Sequence, residues 1–253
     1  MGSEWRFDQR DVLVWSGGAA PLADGQAPRP LAAGAAPALV AGNGDVALMT
    51  LLRLSSERGP PFLGFVQADR ESGLGLLGRG AVLAAGAHAG GFPTHLDGER
   101  VARIHLVNRE IGLLTKPGAK GRIEDLATRS LASRPPSAGI RSHLDEALRT
   151  AMLDPERIHR GALLLSSHLE VVLAVISGRA EVGLATRAWG TRSGLVFHHL
   201  ATESYGLIVK ARDLGDARVI RVCEVAQGSA FRSEVGAIAG YDVEGAGDIR
   251  YDD

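Results

Sequence analysis

The sequence predicts an α/β fold with a mainly parallel sheet, and three observations carry that prediction. Short β-rich runs alternate with helical segments along most of the chain, the pattern of strands linked by packed helices. Three of the strand-to-helix junctions are rich in Gly, Ser, Asn and Asp, the residues that start helices. At 253 residues and 45% hydrophobic, the chain buries a sizeable core and sits where one domain begins to divide, so two lobes are expected.

Taken in order, the first stretch is the least structured. Residues 19–38 are almost entirely Ala, Pro, Gly and Leu, which offers little to pack and several helix breaks, so 1–37 reads as an extension or linker. Before it, Asp11–Trp15 has the composition of a short strand. The alternation starts with Pro37–Val40, a helical segment at 45–57, a strand at Pro61–Val66 and a segment at 73–85. The apolar run Ala102–Val107 follows, then a helix at 142–152, a run at Ala162–Leu165, a helix at 168–178, and short runs at 182–185, 196–200 and 205–210.

In parallel α/β sheets, ligands sit at the carboxyl ends of strands, where helix N-termini present free backbone N–H groups. Three places have this local grammar. Asn43-Gly44-Asp45 follows a strand and opens a helix, the Pro135–Arg141 segment precedes the 142–152 helix, and Ser166-Ser167 precede the helix beginning at His168. Each alone reads as an ordinary N-cap, worth about 1 kcal/mol. It is their recurrence that suggests a ligand cradle.

Composition excludes several classes. A net charge of −1 provides no basic field for phosphate neutralisation, so direct nucleic-acid binding is not expected. Cys223 is the only cysteine, which removes internal disulfides and multi-cysteine metal sites. It reads as a small core residue. No apolar run reaches the length of a membrane span. The early acids Glu4, Asp8 and Asp11 are unlike a basic secretion signal, so a cytoplasmic location is expected.

The ordered pieces resemble the periplasmic-binding-protein-like domains, type II and related to molybdate-binding proteins, that occur fused to helix-turn-helix bacterial regulators. The resemblance covers roughly 38–250. A strand ending in Asn or Arg before a Gly-Leu pair is matched by Leu106–Leu114, with Lys116-Pro117-Gly118 after it. A Gly-Ser-Gly-Thr-Arg loop, with an arginine before it and Leu-Asp-Glu after it, is matched by Arg134–Glu146. A Thr-His helix start is similar to Ser167-His168 and continues to Leu184, and the later Glu and Tyr of a crossing strand appear as Glu203 and Tyr205. Gly240-Tyr241-Asp242 matches a terminal Gly-Tyr-Asp.

The resemblance implies a two-lobed type II fold with two crossing hinge strands: lobe one from 38–104 plus 207–253, lobe two from 105–206. A small ligand would be clamped between the lobes by a hinge motion. It also implies a sensing or binding role for a small anion, either molybdate- or tungstate-like or organic. The ligand-binding candidates are Asn43, Gly44, Asp45, Arg70, Ser72, Ser137, Ala138, Gly139, Arg141, Ser167, His168 and Tyr205, with no cofactor, metal ligand or catalytic residue expected. Expected partners are the ligand, a DNA-binding protein or a helix-turn-helix domain outside this chain, and a second copy in a homodimer.

The donors are thinner than the pattern requires. Two hydroxyl positions of the second loop are Ala138 and Ile140, Asn43 stands for a serine, and Asp69-Arg70 stands for a Gly-Ser pair. Each lost hydroxyl removes roughly 0.5–1.5 kcal/mol. Arg70 either offers a bidentate fork, favouring a larger organic anion, or lies in solvent or in a salt bridge. Arg141 either contacts ligand or pairs with Asp145 four residues on, and Tyr205 either packs in the hinge or touches ligand. The lost hydroxyls keep open a ligand-free interaction module on the same fold.

Catalytic readings fare worse. Ser167 and His168 point about 100° apart on a helix, His198 and His199 face opposite sides of a strand, and His143 lacks the partner spacing of a zinc helix. No phosphate loop, nucleophile elbow or dinucleotide fingerprint is present, so an enzyme that reuses the cleft ranks last.

Overall fold

In the computed structural model, residues 38–88 and 91–252 are described; the strand expected at 11–15 and the 1–37 extension lie outside them. A mixed sheet runs in the order β2-β1-β3-β9-β5-β8-β6-β7. One half comprises β1 (Leu39–Gly42), β2 (Gly64–Gln67) and β3 (Ala84–His88), paired in parallel. The other comprises β6 (Leu131–Ser133), β7 (Leu163–Leu164) and β8 (Val182–Thr186), also parallel. Between them two long strands, β5 (Glu99–Thr115) and β9 (Val196–Lys210), run antiparallel from one half into the other. The expectation of a mainly parallel sheet therefore holds only within each half, because the crossing pair joins both halves through antiparallel edges.

Those strands also correct the element boundaries. The runs at 196–200 and 205–210 are one strand, and 102–107 is only the first part of β5. Their apolar pattern breaks at Asn108-Arg109-Glu110 and Thr202-Glu203-Ser204, and these two stretches pair across the strands. The backbone continues while the environment changes from one core to the other. The lobe limits expected at 104/105 and 206/207 fall inside these strands. Between Ile111 and Gly112 the ladder shifts register; a Cβ on Gly112 would lie 2.1 Å from the His198 carbonyl oxygen, so this close approach requires glycine.

Helices cover the sheet. Helix α1 (Val46–Glu57) and α2 (Arg70–Gly78) belong to the first half; α3 (Ile140–Thr150), α4 (Pro155–Arg160), α5 (His168–Ile176) and α6 (Arg187–Arg192) belong to the second. The α7 (Ala217–Gln227) and α8 (Ser229–Gly236) helices return to pack on α1. The segment read at 73–85 is thus the end of α2 and the start of β3. The helices at 155–160, 187–192 and 217–236 are additions to the elements expected from the sequence.

Leu48, Leu51, Leu207, Val222 and Phe231 anchor one core. Ile111, Leu113, Leu144 and Leu184 anchor another, and each such side chain contributes about 1.5–3 kcal/mol when fully buried. Short strands β10 (Tyr241–Asp242) and β11 (Ile249–Arg250) lie back along β5, which brings Tyr241 to the crossing. A two-residue strand, β4 (His95–Leu96), forms a hairpin with β5. No helix among the described residues is long and apolar enough to cross a membrane.

Candidate functional site

Where the long strands pass between the halves, the interior is charged. Arg109 on β5 is fully buried and pairs with two carboxylates: Nη1 donates to Asp45 at 2.5 Å, while Nε and Nη2 donate to Glu203 Oε1 at 2.9 and 2.6 Å. Its guanidinium stacks over the Tyr205 ring at 4.3 Å, a favourable cation–π geometry. Burial opposes its charge, but Glu203 and Asp45 outweigh that and raise its pKa. Asp45 also caps α1 by accepting from the Ala47 amide at 2.8 Å, and it accepts from Tyr241 at 2.8 Å.

Glu203 ties the halves together. Its second oxygen meets His88 at the end of β3 (3.1 Å) and His143 on α3 (2.7 Å). Burial would raise its pKa, yet Arg109 and then His88 hold the carboxyl well below the usual range. Other contacts cross the same boundary: Ser137 donates to Asp69 at 2.6 Å, Gln67 donates to the Ser166 carbonyl at 3.2 Å, and Asn43 Nδ2 donates to His168 Nε2 at 3.4 Å. A Cβ on Gly139 would come within 2.5 Å of the His88 ring, so the loop before α3 packs flush against β3.

Arg134, directly after β6, is the exception to this pairing. It is 0% exposed, and Nε, Nη1 and Nη2 all lack a hydrogen-bond partner among the described residues. Burial lowers its pKa to about 10, with Asp69 opposing and Arg109 adding to the fall, so it remains a cation at neutral pH. Asn43 Oδ1 and His168 Nδ1 are likewise buried without partners. Burial, reinforced by Arg134, keeps the His168 pKa well below its ordinary value. Its ring is neutral, and with Nε2 accepting from Asn43 the proton lies on Nδ1, an unused donor. Buried cations are ordinarily matched; this one is matched only at a distance.

The expected site residues divide among three places. Asn43, Asp45, His168 and Tyr205 lie in the buried cluster. Arg70, Ser137, Ala138, Gly139 and Arg141 line a groove of about 280 Å³ at its edge, together with Glu71, Ser142 and Asp145. Gly44, Ser72 and Ser167 act through the backbone or as caps: Gly44 takes φ 72°, the Ser72 amide donates to the Asp69 cap at 2.9 Å, and Ser167 forms a capping box with Glu170. The side chains of Ala138 and Ile140, where hydroxyls were expected, pack into the α3 core. Arg141 reaches Asp145 at 3.5 Å, one of the two readings open for it. Arg70 donates to the Gly91 carbonyl.

Arg109, Glu203, Arg134, His88 and His143 were not among the candidates. Arg109, Arg134, His143 and Glu203 stood inside matched segments, so a residue-by-residue reading of charged and titratable positions in those segments was the available signal. Among the described residues, no group of three His, Cys, Asp or Glu side chains is placed to hold a metal ion.

The buried histidines give the fold a pH dependence. Burial lowers His88, His159 and His168, and brings His105 down to about 4. Unfolding returns each to about 6.5, so below that value the unfolded chain binds more protons. Stability is then complete above about pH 6.5 and declines as pH falls toward 4, with a limiting slope of about 1.4 kcal/mol per pH unit for each group. Urea midpoints measured at pH 7.5 and 5.0 should show a clear drop; equal midpoints would contradict the neutral buried rings.

Comparison with known proteins places this geometry. The model for the PBP superfamily domain matches residues 53–227, which include both crossing strands, Arg134 and His168 but not the Asn43–Asp45 loop. The chain belongs to the PBP superfamily. Solved structures of low sequence identity share the PBP fold. The regulatory domain of MetR, a LysR family regulator from N. meningitidis, aligns with a TM-score of 0.58 at 12% identity, over 81% of this chain and 97% of that one. Corynebacterium glutamicum OxyR, as a cysteine-to-serine mutant with H2O2 bound, aligns at 0.57 and 17%, over 79% of this chain and 66% of that one; the chain thus spans about two thirds of that protein's length. The substrate-binding domain of a putative molybdenum ABC transporter from Clostridium difficile aligns at 0.53 and 15%, over 81% and 97%. This PBP domain is thus two-lobed, with its charged cluster where the lobes meet.

Proposed function

We propose that this chain is a small-anion binding or sensing domain whose ligand is held between the lobes by Arg134, with Asn43 and His168 as neutral neighbours. One observation carries the reading: a fully buried guanidinium with none of its nitrogens bonded among the described residues. Such a group carries a large desolvation cost, which an anion accepting from its fork would offset. A neutral His168 N–H adds a donor without adding charge. The solved relatives include a substrate-binding and a regulatory domain, which supports a binding role. Coupling to a DNA-binding partner or domain and pairing as a homodimer remain part of this reading.

The test is thermal unfolding of the full chain with sulfate, phosphate, molybdate, tungstate and small carboxylates. A ligand at about 100 times its Kd adds about 2.7 kcal/mol, a rise of several degrees at this size. The expected result is a selective rise that Arg134→Met abolishes. A second reading, a ligand-free regulatory module, is favoured by the side chains that fill the boundary: the Glu203–His88–His143 bridge and the Asp69–Ser137 contact. It gains if no anion shifts the melting point.

A further inference from the structure

The groove beside the buried cluster is built from both lobes. Arg70 and Glu71 come from the start of α2, and the Pro136–Ser142 segment and Asp145 come from the approach to α3 and its first turns. It is joined to the buried cluster through Arg134: Arg141, which lines the groove, directs Nη1 at the Arg134 carbonyl at 3.5 Å. Across the boundary, Ser137 of the groove holds Asp69, whose charge acts on Arg134.

Both groove arginines have unspent donors. Among the described residues, Arg70 donates to a neutral carbonyl, that of Gly91, and its buried Nε has no partner. Arg141 lies 3.5 Å from Asp145, at the limit of a hydrogen bond, while Asp145 is engaged more closely by His159 at 2.7 Å. Arg141 is also mostly buried, at 13% side-chain exposure, so its attraction for an anion is screened less than at an open surface. At about 280 Å³, the groove has room for one arm of a small molecule. Glu71 and Asp145 on its wall bring two negative charges, which disfavour a multiply charged group such as phosphate and leave a single planar carboxylate as the better match for an arginine fork.

We propose that the ligand is an organic dicarboxylate, with one carboxylate on Arg134 in the buried cluster and the other in the groove between Arg70 and Arg141. This inference rests on the anion-binding reading above and adds the class of ligand. Lobe closure then joins two half-sites, and the distance between the anionic groups of the ligand sets specificity.

The experiment measures Kd by calorimetry for sulfate, acetate and the straight-chain dicarboxylates from oxalate to adipate, with the full-length wild type, Arg70→Ala and Arg134→Met. For the wild type, one dicarboxylate length should bind about tenfold or more tighter than acetate, the gain expected of one added charge-assisted fork. Arg70→Ala should bring the dicarboxylate-to-acetate ratio close to one, and its ligand-free melting curve checks that the fold is kept. If sulfate or acetate binds in an Arg134-dependent way but no dicarboxylate exceeds acetate, or if Arg70→Ala leaves the ratio unchanged, the groove is not part of the site and the inference falls while the buried anion site stands. If no anion binds the wild type, both fall together.

Discussion

Arg109→Met is expected to destabilise the domain by about 3–5 kcal/mol, lowering its melting temperature by on the order of ten degrees. The methionine fills much of the same volume, so the loss is electrostatic. Asp45 and Glu203, fully or almost fully buried, would lose the cation that satisfies both, and Glu203 would keep only His88 and His143. The stack on Tyr205 would go as well. Urea unfolding of the variant checks the magnitude. A loss below about 1 kcal/mol would mean that the two carboxylates find other partners, and that the pairing described here is not the main support of the crossing.

Arg134→Met should act in the opposite direction, raising stability by about 1–4 kcal/mol in the absence of ligand. Both arginines are fully buried, yet one makes three short ionic contacts and the guanidinium of the other makes none among the described residues. Removing a matched charge orphans its partners; removing an unmatched one deletes a desolvation cost and leaves an apolar chain beside β6. The same change should abolish anion binding, the exchange of stability for function often found at binding sites. A destabilised Arg134→Met protein would show that this arginine is structural.

Much of this arrangement was legible in the sequence. The alternation of elements and the approximate places of α1, α3 and α5 followed from the pattern of apolar runs and cap residues, and the two lobes from chain length and the family resemblance. The misreading of the two long strands has one cause. Apolar periodicity reports which side of a strand faces a core, and it falls silent where Arg109 and Glu203 enter a polar interior. The strands therefore looked shorter than they are, and the residues at their centres were passed over as site candidates. Two of the three helix-start cradles rest on capping, which is local: Asp45 and Ser167 each satisfy amides within a turn, whereas the helix at Pro135–Arg141 starts from Gly139 without a side-chain cap. Arg134 could not be recognised in that way. Its significance depends on lacking neighbours, and sequence spacing records which residues adjoin in the chain, not which ones fail to meet in space.

The seam between the lobes also bears on timing. With Arg134 inaccessible to solvent, access to it would require loosening of the contacts that cross the boundary, Ser137 to Asp69, Asn43 to His168 and Glu203 to His88 and His143. Entry is then governed by how often the seam opens. Capture would be slower than diffusion by the open fraction, and at high solute concentration its rate would level off at the opening rate. Under the proposed anion-binding function, a domain built this way would respond to the sustained presence of its ligand and filter out brief pulses.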